Sequence, residues 1–137
     1  VSWSDVRIGM AAALKAALTG VSVYEMIPQA LGGEPDLAVV LPGDPLILPT
    51  AHGVDSVLIR VYVRSTRGTQ KDGAAALDKL IAASGTQSVR AAVNADRTLG
   101  GAVEDTRFMR VESYGALQDQ SGAFQAEIIF AADMEDA

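Results

Sequence analysis

The chain has no cysteine, so a disulfide framework, a thiolate metal site and a cysteine nucleophile are all excluded. It has one histidine, His52, which leaves little for imidazole catalysis or a histidine-rich metal centre. Aromatic residues make up only 5%, so any core must be built from Ala, Val, Leu and Ile. No apolar run approaches the roughly 20 residues that a membrane-spanning helix needs. The opening Val-Ser-Trp-Ser-Asp has no basic patch leading into an apolar stretch, so no signal peptide is expected there. A soluble, cytoplasmic chain with no membrane partner is the expectation.

Clustered positive charge is also lacking. The net charge is -6, and the eleven basic residues are scattered, with Arg60, Arg64, Arg67 and Lys71 the densest group. A strand face and the loop after it can carry those four as solvated charge. Binding to phosphate backbones needs a basic patch, so nucleic acid is not expected as a direct partner.

What is present suits one globular domain. The 137 residues are 49% hydrophobic and 20% charged, enough to bury a core unaided. A first helix is expected from Ser2, with Ser2 and Asp5 as a capping box and Gly20 as its stop. Val6, Met10, Ala13, Leu14, Ala17 and Leu18 recur at helical spacing and form its buried face. Val21–Ile27 and Leu37–Leu41 read as strands, each closed by a proline. The stretch from Pro42 to Gly53, rich in proline and holding His52, reads as a long loop.

The clearest strand is Val54–Ser65, where Val57, Ile59, Val61 and Val63 alternate with Leu58, Arg60, Tyr62 and Arg64. A second helix is expected over Lys71–Ala83, with Thr69 or Asp72 near its start and Ala74, Leu77, Leu80 and Ile81 buried. Ser88 caps a short third helix to Ala95. Gly100-Gly101 turns the chain into a strand over Val103–Tyr114, and residues 119–122 make a hairpin to Phe124–Ala132. The fold class is α+β: a small mixed or antiparallel sheet of about five strands, with two to three helices packed on one face. Residues 1–137 form a single domain, and the acidic end from Asp133 is frayed.

The search for chemistry is unproductive. His52, Asp55 and Ser56 include the residue types of a hydrolase triad, but triads are assembled from separated segments, and no G-x-S-x-G elbow is present. Asp44, His52 and Asp55 lack metal-ligand spacing. Glu104-Asp105 and Glu135-Asp136 are adjacent pairs that diverge on a strand. The Gly32-Gly33 and Gly100-Gly101 turns lack a phosphate-loop pattern and mark positive φ instead. No catalytic residue, cofactor or metal is therefore expected.

One irregularity remains. On the strand Val103–Tyr114, Val103, Met109 and Val111 fall on one face and Phe108 and Tyr114 on the other, while Leu58 and Tyr62 lie on the polar side of the best strand. Apolar residues on both faces suggest that a partner covers the second one. The candidate subunit-interface residues are Leu58, Tyr62, Phe108 and Tyr114. The alternative is a bulged strand inside a monomer.

The order of signals resembles a known family. It comprises an opening helix, Val21-Ser22-Val23-Tyr24-Glu25 with Pro28, a short strand with Pro42, and the Val57–Arg64 strand. The helix Asp72-Gly73-Ala74-Ala75-Ala76-Leu77-Asp78 follows, then Ser88-Val89-Arg90-Ala91-Ala92, and Leu99-Gly100-Gly101-Ala102-Val103 before a long hairpin. This pattern is similar to the tail terminators of siphophages, also called tail-completion or minor tail proteins. The resemblance spans nearly the whole chain without a single diagnostic motif. It implies a structural virion protein that forms a ring, typically of six subunits, at the head-proximal end of the tail. Its partners would be further copies of itself, the tail tube protein and the head connector, with genomic DNA only passing through the lumen. An acidic lumen would let DNA slide. Competing readings are another connector or tube subunit, a cellular small-ligand module with its pocket under the Pro42–Gly53 loop, and a minor hydrolase using His52.

Overall fold

Helix α1 (Trp3–Ala17) begins where the sequence places it. The Asp5 amide donates to Ser2 Oγ at 3.2 Å and the Ser2 amide donates back to Asp5 Oδ2 at 3.1 Å. That reciprocal pair satisfies two amides left without partners at the helix start. It also holds the Asp5 carboxyl below its usual range. The helix ends earlier than expected. Leu18 turns to extended backbone as the C-cap, ahead of Gly20, and its side chain is buried in the core.

The computed structural model describes residues 2–27, 35–49, 55–117 and 122–134. After α1 come β1 (Ser22–Tyr24), β2 (Asp36–Pro49), β3 (Asp55–Thr66), α2 (Gln70–Ile81), α3 (Val89–Ala95), β4 (Asp105–Ala116) and β5 (Ala123–Asp133). Thr69 caps α2 by accepting from the Asp72 amide, and Ser88 caps α3 by accepting from the Ala91 amide. The strands form one sheet in the order β1-β2-β3-β5-β4. Its first pair is parallel and the other three are antiparallel, so the sheet is mixed.

The three helices share one face of this sheet. Val6, Met10 and Leu14 of α1, Leu77 and Leu80 of α2, and Val89 and Val93 of α3 meet a layer from the strands. That layer is Ala38 and Val40, then Val57 to Val63, then Ala126 to Ala132, taking alternate residues. This is the expected α+β sandwich. Ala76 is buried in α2, and Ala74 and Ile81 are only partly so.

The proline-rich stretch after Leu41 differs from the expected loop as far as Pro49, and residues 50–53 lie outside the described part. Residues 42–49 continue β2 and do not form a loop. β1 pairs only with Leu37 to Val39, so beyond that point β2 runs along a free edge among the described residues. Its pairing with β3 also slips between Pro42 and Ile47, where residues 43–46 stand against Leu58 alone. A free edge and a bulge are both places where a sheet tolerates a residue without an amide hydrogen. Prolines there also discourage edge-to-edge association.

At the other end of β2, Asp36 is buried, and its two carboxylate oxygens accept from Arg67 at 3.0 and 2.9 Å. Arg67 also donates to the Pro35 and Thr66 carbonyls, which ties the exit of β3 to the entry of β2.

Candidate assembly surfaces

Ser56 of the triad-like trio is fully buried, and its hydroxyl donates to Asp133 Oδ1 at 2.8 Å. Asp133 also accepts from Arg107 at 2.8 Å, and these bonds, Arg107 first, hold its carboxyl below the usual range. The Ser56 hydroxyl is therefore engaged by a carboxylate that is itself paired with Arg107. Asp55 and Asp44 are exposed, and His52 lies outside the described residues. Among the described residues no group of three metal-ligating side chains converges. Gly100 and Gly101 do adopt positive φ, +72° and +92°, while residues 32 and 33 are outside the described part.

The four interface candidates do not share one surface. β4 carries two irregularities, between Phe108 and Arg110 and between Glu112 and Gly115. Phe108 stands opposite Phe130 and Val111 opposite Ile128, so an even and an odd residue face the same helix-covered core. The first bulge, at Met109, reverses the alternation, and this accounts for the irregular pattern without a partner. Phe108 packs edge-on against Phe130 with centroids 6.1 Å apart, and Arg90 of α3 stacks over it at 3.9 Å. Tyr114 lies in the second bulge. Its ring approaches Phe124, its hydroxyl donates to Asp78 of α2, and it is 47% exposed. Both aromatics belong to the helix side.

Leu58 and Tyr62 are on the opposite, outer face. Leu58 is only 5% exposed because the β2 bulge lies across it; a Cβ on Gly43 would come within 2.4 Å of the Leu58 Cβ. The chain itself covers Leu58. Tyr62 is half-buried, its hydroxyl donates to Gln125 Oε1 at 2.7 Å, and burial pushes its phenol pKa up.

The outer face has two halves. Toward β1, Tyr62, Val39 and Leu41 with Ile27 enclose a shallow apolar hollow of about 210 Å³, and Ile27 is 67% exposed. Toward β4, Glu112 and Glu127 stand directly opposite each other and are separated by their arginines, Arg110 to Glu112 and Arg60 to Glu127. This charged field lines a polar hollow of about 350 Å³. Its two ion pairs are partly exposed and add little stability.

A third, larger concavity lies in the helix layer. α1, the end of α3 and residues 99–102 line an open groove of about 890 Å³. Its walls are mostly alanine and glycine, including Gly9, Ala12, Ala16, Ala92 and Ala95, with Asp5 and Asp96 as its only ionisable groups among the described residues. Ile8, on its wall, is half-exposed. α1 approaches the loop so closely that a Cβ on Gly9 would sit 2.4 Å from the Leu99 carbonyl oxygen. No protein-family model and no curated protein matches this chain.

Sequence reasoning missed the groove, although a signal was present. Gly9, Ala12, Ala13, Ala16 and Ala17 repeat at three and four residues beside the Val6, Met10 and Leu14 stripe, so α1 has a second face of small residues. The stretch under which the rival ligand-module reading put a pocket is strand as far as Pro49, its Gly43 and Asp44 line the polar hollow, and residues 50–53 lie outside the described part. Among the described residues no helix is long and apolar enough to cross a membrane.

Proposed function

We propose that this protein is a structural subunit of a phage tail terminator: a ring protein without enzymatic activity that caps the tail tube, stops its growth and offers the head connector a docking surface. The sequence pattern resembles that family, and one structural observation supports the reading. The subunit has two unlike apolar hollows on opposite faces, the Ala/Gly groove in the helix layer and the Ile27–Tyr62 hollow on the outer sheet face. A ring is built from heterologous contacts, which need two different surfaces on the same subunit, whereas a twofold dimer uses one surface twice.

The mechanism would be complementarity alone. One rim of the ring matches the last layer of the tube, and the other rim does not, so addition stops. A net charge of -6 suits a ring through which DNA slides without sticking. Among the described residues no strand arm projects from the sheet, since β5 flanks β3 from Ser56 to Thr66, and this favours a terminator over a tube subunit.

Measuring the solution mass of the purified protein, alone and after mixing with tail tubes, tests the proposal, with negative-stain images alongside. A closed ring, free or seated on the tube end, is expected. A stable twofold dimer with a large apolar interface, or a chain that stays monomeric beside tubes, would overturn it.

A small-ligand module is the second reading, because the groove volume falls in the range of roughly 300–1,000 Å³ common to ligand pockets. A thermal-shift screen separates the two: ligand-dependent stabilisation without self-association favours the module.

A further inference from the structure

We draw no further inference here: the strongest candidate, the alanine- and glycine-lined groove between α1, α3 and residues 99–102, is an unpartnered apolar surface, and nothing in the structure shows what covers it.

Discussion

Tyr62 and Phe108 can be separated by the same substitution, because they lie on opposite faces of the sheet. Phe108→Glu removes an edge-on pair with fully buried Phe130, worth about 0.5–1.5 kcal/mol beyond burial. It also gives up part of the roughly 1.5–3 kcal/mol that complete burial of such a ring supplies. Arg90 stands over the ring and can pair with the new carboxylate, so the expected loss is about 2–3 kcal/mol. Tyr62→Glu loses one hydrogen bond to Gln125, about 1 kcal/mol, and places a carboxylate opposite Glu127. Like charges across strands cost about 0.2–1 kcal/mol, and Arg60 and Arg64, two residues to either side, reduce that. Part of the burial of the half-buried ring beside Val39 and Leu41 is lost as well, so the expected loss at Tyr62 is about 1–2 kcal/mol, and the fold survives.

At an assembly contact the order reverses. A buried, unpaired carboxylate at Tyr62 costs about 2–5 kcal/mol of association, enough to release a weak ring contact. Urea unfolding followed by circular dichroism measures the first quantity, and tail length with head joining measures the second. Phe108→Glu should lower the unfolding midpoint by about 0.7–3 M for a slope near 1–3 kcal/mol per molar. Under the proposed terminator role, Tyr62→Glu should leave a folded chain with tails that are overlong or fail to join heads. Tails of normal length with Tyr62→Glu would remove the outer face from assembly. Wild-type stability with Phe108→Glu would refute its placement against the core.

Gly9→Ala should lower stability by about 1–3 kcal/mol, because the added Cβ meets the Leu99 carbonyl at 2.4 Å; Gly115→Ala, with open space around it, is the matched control in thermal melts. The depressed Asp133 carboxyl contributes stability that is present above its unfolded value, near 3.9, and is lost as pH falls through its lower folded value. Urea midpoints at pH 7 and pH 3 should differ less in Asp133→Asn than in the parent, and an unchanged difference would show that the Arg107 and Ser56 bonds do not couple to folding. His52→Ala should leave both folding and tail completion intact; loss of function in a folded variant would revive catalysis or metal binding.

The sequence by itself determined the local elements. Capping at Ser2, Thr69 and Ser88 depends on neighbours three residues away, and the alternation of Val57 to Val63 needs only a buried face. Helix starts, the central strand and the α+β class were legible for that reason. The tertiary structure decided what depends on register between distant segments. The Met109 bulge reverses the faces of β4, and only pairing with β5 places it. Prolines 42, 45 and 49 read locally as a loop, and the free edge and bulge that let them continue a strand exist only once the sheet is assembled. By alternation Leu58 falls on the strand face that carries Ser56, Arg60 and Arg64, yet Gly43 folds over it. The Ser56–Asp133 bond spans 77 residues, so no local pattern could show it. The small-residue face of α1 is local, but that residues 99–102 form the other wall of its groove is not. Side-chain preferences act over a few residues, whereas the faces and hollows of this chain are set by which strands meet and in what register.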